Sequence, residues 1–234
     1  MSDLERYEHR YFCDSNTSDS VEKTLDSLGV LTRISYLLPV TETIYFTYGQ
    51  SAKYEVPVGV TVRLRRYVAR LSEVIEISEN KIVLLEIKKS DQVSGVNVKE
   101  RVSVSGTDAV KALTGIEDRL GLRNQLGVPV DPPLLPTGVT QSYRCHWLHQ
   151  SGLRVTLDKD IRFFLFRENL YIARMVATLG EGKLEFKFPK ANDHDDTLKN
   201  QIVTICGCVK RPQNYLERRA KECIVKNMSV RAGH

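Results

Sequence analysis

Three short runs set charged side chains on alternate residues: Arg63 and Arg65 in VTVRLRRYV, Glu86 and Lys88 in IVLLEIKKS, and Glu185 and Lys187 in GKLEFKFP. In a β-strand, residues two apart project to the same face. Each run therefore carries one face of Val, Leu, Ile or Phe and one face of fixed charge. Extending one parity along the other strand-like runs adds Glu8 and Arg10, Lys99 and Arg101, and Arg154, Thr156, Asp158, Asp160 and Arg162. The opposite parity holds Val62, Leu64, Leu85, Ile87, Val155, Leu157, Ile161, Phe163, Leu184 and Phe186.

The charged set holds nine cations and five carboxylates. A half-solvated antiparallel sheet also shows mixed charge on its outer face. Here, however, Arg and Lys recur on strand after strand with a carboxylate nearby. Enclosed in a barrel, such cations would repel one another unless carboxylates and a bound polyanion offset them. A phosphate chain suits them, since Arg offers a planar fork and Lys a compact charge. The carboxylates would then orient the cations and could hold a divalent metal through oxygen ligands.

The elements that must position these groups are mostly strands. YEHRYFC opens the chain, and DSNTSDSVEKTLDSLG follows as a short helix capped by Thr17 or Ser18 and stopped at Gly29. VLTRISYLL, ETIYFTYG, GVTVRLRRYV, NKIVLLEIKKS and NVKERVSVSG read as strands. TDAVKALTGIEDRLGLR has helical spacing, and a four-proline connection, Pro129, Pro132, Pro133 and Pro136, leads to TQSYRCHWLHQ, GLRVTLDKDIRFFLF, LYIARMVATL and KLEFKFP. Two helical stretches, DDTLKNQIVTICGCV and QNYLERRAKECIVKN, end the chain.

Length and composition agree with one globular unit over residues 1–234: 41% hydrophobic, 27% charged, net charge +5. No apolar run is long enough to span a bilayer and MSDLERYEHR lacks a signal-peptide core, so the expected compartment is the cytoplasm. Five scattered cysteines without a Cys-x-x-Cys pair read as plain thiols.

At RYEHRYF, TIYFTYG, VRLRRY, LLEIKK, VKERVSV, SYRCHW, LRVTLDKDIRF and LEFKF the chain resembles the triphosphate tunnel metalloenzymes, most closely the polyphosphate polymerase domain of vacuolar transporter chaperone type. The resemblance spans nearly the whole chain. It implies an α+β, CYTH-like fold: a closed antiparallel β-tunnel of about eight strands with helices packed outside. Carried over to this sequence, it makes Arg63, Arg65, Lys88, Arg144 and Arg154 catalytic phosphate-binding residues. Glu185 becomes the metal ligand, with Glu8 and Glu86 as further candidates for Mn2+ or Mg2+. Arg10, Lys99, Arg101, Arg162 and Lys187 extend the phosphate surface. Arg218 and Lys221 in LERRAKEC match a basic segment at the tunnel mouth, although Ala220 stands where the family has Ser.

The implied reaction transfers the terminal phosphate of ATP to a growing inorganic polyphosphate, which threads out through the far mouth. Arg10, where related enzymes place further acids, favours this reading. The rivals are a triphosphatase acting on tripolyphosphate, a nucleoside triphosphate or an RNA 5′ end, and a non-catalytic polyphosphate-binding protein. Generic RNA binding is a third rival, against which the aromatics of these strands form no exposed stacking sets, and no sequence-specific nucleic-acid partner is expected.

Overall fold

The structure is a computed structural model that describes residues 7–48, 60–90, 97–125, 127, 133–166, 169–189, 196–212, 215, 216, 218, 219 and 222. Among the described residues, twelve strands pair antiparallel in one sheet. They are β1 (Tyr7–Asp14), β2 (Leu31–Ile34), β3 (Val40–Tyr48), β4 (Val60–Val68), β5 (Val74–Glu76), β6 (Ile82–Ser90), β7 (Asn97–Ser105), β8 (Leu134–His149), β9 (Arg154–Phe166), β10 (Ile172–Thr178), β11 (Glu181–Phe188) and β12 (Val209–Lys210). The main path runs β12-β1-β11-β9-β8-β3-β4-β6-β7, with β10 on β9, β5 on β10 and β2 on β8.

The expected closed ring of about eight strands is therefore corrected on two counts. The extra strands are short edge pieces, β5 and β12 above all, whose three and two residues are too few to show a period of two. Among the described residues the ring is also not closed by backbone hydrogen bonds. β12 occupies the free edge of β1 at Tyr11 and Phe12, taking main-chain groups that a closing strand would need.

The helices α1 (Ser15–Ser27), α2 (Gly106–Thr114), α3 (Leu122–Gln125) and α4 (Asp196–Ile205) accompany the sheet. Ser105 caps α2, its hydroxyl accepting from the Asp108 amide, and Gly115 ends the helix at φ 76°. The apolar parity of the strands packs with these helices in two cores. One joins Ile44, Val62, Leu64, Leu85 and Ile87 to Val110 and Leu113 of α2. The other joins Trp147, Val155, Leu157, Leu184 and Phe186 to Val21 and Leu25 of α1 and Ile202 of α4. Hydrophobic burial lies on this side of the sheet, which leaves the charged parity to face inward.

Several boundaries differ from the sequence reading. VLTRISYLL forms a strand only over Leu31–Ile34, and Tyr36, Leu37 and Leu38 stand exposed. The helix expected to run through Val209 stops at Ile205. Gly207 then turns the chain at φ 59° and Val209 starts a strand. Pro129 and Pro132 of the proline-rich connection lie outside the described residues, as do Ala220 and Lys221.

Candidate functional site: a basic inner face

Cross-strand register assembles the site. Glu8 faces Lys187, and Arg10 faces Glu185. Glu185 faces Thr156, and Lys183 faces Asp158. Arg63 faces Glu86, and Glu86 faces Arg101. Directly opposed residues in a sheet share a face, so these pairs define one continuous inner surface.

Each carboxylate on that surface gathers more than one cation. Asp158, 2% exposed, accepts from Arg144 at 2.5 and 2.8 Å and lies 2.7 Å from Lys183. Glu86, fully buried, accepts from Arg63 Nε at 2.8 Å, with Lys99 also paired to it and Arg65 at 3.7 Å. Glu185 accepts from Arg10 Nε at 3.0 Å and pairs with Lys187. Glu8 accepts from Arg10 at 2.9 Å and from Lys88 at 3.1 Å. Eight cations thus meet four carboxylates, Glu8, Glu86, Asp158 and Glu185.

That imbalance sets the local electrostatics. Burial works to raise the Glu185 carboxyl, but Lys187, Lys183, Arg10 and Arg144 outweigh it and hold the group well below the usual range. Asp158 follows the same logic, burial being overcome by Arg144 and Lys183. Cations in excess are driven the other way. Burial lowers Lys99 to about 8, only partly offset by Glu86, and burial followed by Arg63 and Arg144 lowers Arg65. His146 is pushed down to about 4 by burial, then by Arg144 and Arg154, so it is neutral at pH 7 and accepts no role as a resting acid.

Of the residues expected from sequence, Glu8, Arg10, Arg63, Arg65, Glu86, Lys88, Lys99, Arg144, Glu185 and Lys187 come together in these ion pairs. Arg154 faces Lys187 on the same surface. Three do not join. Arg101 has the right parity but stands exposed on the edge strand β7. Arg162 lies on the opposite side, where it reaches the Ser72 carbonyl and the Glu73 carboxylate. The reason is a bulge between Lys159 and Arg162, with Asp160 at φ 52°, which inserts a residue and reverses the alternation. Arg218 is exposed, pairs with Glu222 and sits over the Tyr215 ring. Lys221 lies outside the described residues.

Sequence reasoning passed over Lys183 and placed Asp158 on the charged face without naming it among the site residues. The signal for Lys183 was present, since it shares the parity of Glu185 and Lys187. Tyr45 is a further inner residue, placed by its opposition to Arg63. Beyond the bulge the inner surface turns apolar: Phe12, Ile161 and Phe163 form a cluster with Leu179 and Tyr215, the Phe12 and Tyr215 rings 4.8 Å apart.

Among the described residues, no group of three or more ligating side chains encloses a metal position. Glu8 and Glu185 are nevertheless close enough for the charge of one to raise the proton affinity of the other. Arg10 and Lys187 bridge the two carboxylates, so a Mg2+ or Mn2+ ion taking oxygens from both would have to displace these cations. Glu86, gripped by Arg63, Arg65 and Lys99, stands apart from that pair.

No protein-family model matches the chain, and no curated protein matches it. Solved structures do. HpAC1 of Hippeastrum, an adenylyl cyclase candidate with a dominant triphosphatase activity, is 13% identical with a TM-score of 0.56 over 92% of this chain and 94% of that one. PH1819 from Pyrococcus horikoshii OT3 is 16% identical with a TM-score of 0.47, over 92% and 99%. The first likeness is one of fold, and it agrees with a CYTH-like tunnel architecture. Among the described residues no helix is long and apolar enough to cross a membrane.

Proposed function

We propose that this protein is a divalent-metal-dependent triphosphatase that binds a linear triphosphate, as tripolyphosphate or the tail of a nucleoside triphosphate, on its inner face and hydrolyses it. The observation that carries the reading is the twofold excess of cations over carboxylates on an enclosed surface, a surplus a triphosphate would neutralise.

In this reading Arg63, Arg65, Lys99, Arg144 and Lys183 bind successive phosphates. Their partners Glu86 and Asp158 fix the guanidinium and ammonium groups before substrate arrives, so little reorganisation accompanies the reaction. Arg10, Lys88 and Lys187 hold Glu8 and Glu185 ionised, and a metal would take the two carboxylates by displacing Arg10 and Lys187. The ion, when bound, neutralises charge on the phosphates and lowers the pKa of a coordinated water. No side-chain nucleophile is needed, because water accepts the phosphoryl group.

The dominant triphosphatase activity of HpAC1, a protein of similar fold, supports hydrolysis over polymer synthesis. The apolar cluster of Phe12, Ile161, Phe163 and Tyr215 supports it too, because a polyanion threading past that end would be desolvated against rings. Arg10 remains the observation in favour of the polyphosphate polymerase reading, since it sits between Glu8 and Glu185 and adds a base where a metal-rich centre wants an acid. Incubation with tripolyphosphate, and separately with ATP, in Mn2+ or Mg2+ decides between them. Orthophosphate release without chain growth on a gel is the expected result; lengthening polyphosphate made from ATP would reverse the assignment.

A further inference from the structure

A cluster of three thiols lies apart from the inner face. Cys13 of β1 and Cys208, just before β12, are buried in the same apolar core, while Cys206 is partly exposed. Register brings the first two together. Tyr11 opposes Lys210 and Phe12 opposes Val209, so the next antiparallel position sets Cys13 against Cys208. Opposed residues in such a ladder have Cα atoms about 4.5 or 5.5 Å apart, and both spacings fall within the range of about 4.4 to 6.8 Å that a disulfide bridges. The Cys13 and Cys208 thiols are close enough to perturb each other's ionisation, as are those of Cys206 and Cys208, while the Cys13 thiol donates to the Gly182 carbonyl and the Cys208 thiol to the Cys206 carbonyl, each at 3.7 Å.

We propose that Cys13 and Cys208 form a reversible disulfide, with Cys206 as the entry point for a hydroperoxide oxidant. The Cys206 thiolate attacks the peroxide, the O–O bond breaks, and Cys206 becomes a sulfenic acid while the other oxygen leaves as alcohol or water. The Cys208 thiol attacks that sulfur, forming a Cys206–Cys208 bond and releasing water. The Cys13 thiolate then attacks Cys208, and Cys206 departs as a thiolate. In sum, two thiols and one hydroperoxide give one disulfide, one alcohol and one water.

The neighbouring Cys208 thiol lowers both Cys13 and Cys206 and is itself raised, so Cys206 and Cys13 are the favoured thiolates while Cys208 gives up its proton only as it attacks. Cys145 contrasts with them, since burial pushes its thiol up to about 12 and Glu22 adds to the effect.

The bond would tie the C-terminal segment to the sheet. β12 leads to Tyr215, whose ring packs on Phe12 beside Cys13 and whose hydroxyl pairs with Glu181. Oxidation would therefore fasten the segment that covers the apolar end of the inner face.

The test is peptide mapping of the full chain after hydrogen peroxide, without reduction, by mass spectrometry. A dithiothreitol-reversible Cys13–Cys208 peptide is expected in the wild type. C208S should lose it, and in C206S its formation with peroxide should slow by about tenfold or more, while the thiol oxidant diamide still produces it. A final product linking Cys206 to Cys208, or alkylatable Cys13 and Cys208 after full oxidant treatment of the wild type, would overturn the proposal. Unslowed oxidation of C206S would remove Cys206 as the entry point. The wild-type map answers the central question even where a variant fails to fold.

Discussion

Lys88 of β6 and Glu8 of β1 stand six places apart in the hydrogen-bonded strand order, yet Lys88 Nζ lies 3.1 Å from Glu8 Oε2. In a flat sheet about 4.8 Å per strand would hold those strands roughly 29 Å apart. The sheet is therefore rolled until its walls touch, and a side-chain ion pair does at the seam what backbone ladders do elsewhere. Because both side chains are mostly buried, the pair should couple measurably. A double-mutant cycle of Glu8→Gln and Lys88→Met is expected to give an interaction energy of about 0.5–3 kcal/mol in denaturant melts. Strict additivity would mean that the seam is held by other contacts.

Glu185 is the carboxylate shared by Arg10 and Lys187 and adjacent to Glu8. Glu185→Gln removes the proposed metal ligand and an anion while keeping the shape. Turnover should fall by about a hundredfold or more, while tripolyphosphate affinity by calorimetry stays equal or rises because one repelling charge is gone. Turnover close to that of the wild type would take Glu185 out of the site.

Arg63 pairs with Glu86, and Arg65 reaches Thr43 and lies 3.7 Å from Glu86. Arg63→Ala with Arg65→Ala should raise the Kd for tripolyphosphate by about two to four orders of magnitude, each of the two lost charged hydrogen bonds being worth about 1.5–3 kcal/mol. The effect should shrink with added salt. Arg162→Ala, on the opposite side of the sheet, should leave that Kd unchanged.

Lys99 carries a pKa of about 8 in the free protein, lowered chiefly by burial. Protonated, it contributes charge for phosphate binding, so kcat/KM should decline as pH rises through about 8. Lys99→Arg, which stays charged, should carry the plateau to higher pH. An alkaline limb of identical position in both proteins would assign it to another group.

Asp158 holds Arg144 and Lys183 from a fully enclosed position. Its folded pKa lies far below the ordinary 3.8 because those cations outweigh the burial that would raise it. The unfolded chain therefore binds the proton first as acid is added. The stabilisation is fully present above about pH 4 and is lost as pH falls further. Asp158→Asn should cost about 3–5 kcal/mol at neutral pH by leaving two buried cations unpaired. It should also flatten the acid limb of the melting profile. A melting temperature unchanged at pH 7 would show that solvent already shields Arg144 and Lys183.

Much of this arrangement was legible in the chain. Alternation alone identified the inward parity of Arg63, Arg65, Glu86, Lys88, Glu185 and Lys187, because a strand has a period of two whatever its neighbours do. It failed at Arg162, because the single residue inserted near Asp160 reverses the alternation and leaves no mark on residue type. Arg101 kept its parity but stayed exposed, since exposure depends on having a strand on both sides and β7 is an edge.

What the amino-acid order determined by itself was local: strand and helix content, the charged face and the apolar face of each strand. Which cation meets which carboxylate, the missing hydrogen-bonded closure and the contact of Lys88 with Glu8 were decided only in the tertiary structure. Those depend on register, bulges and the curl of the whole sheet. Such properties arise from pairings between residues far apart in the chain, and no local pattern encodes them.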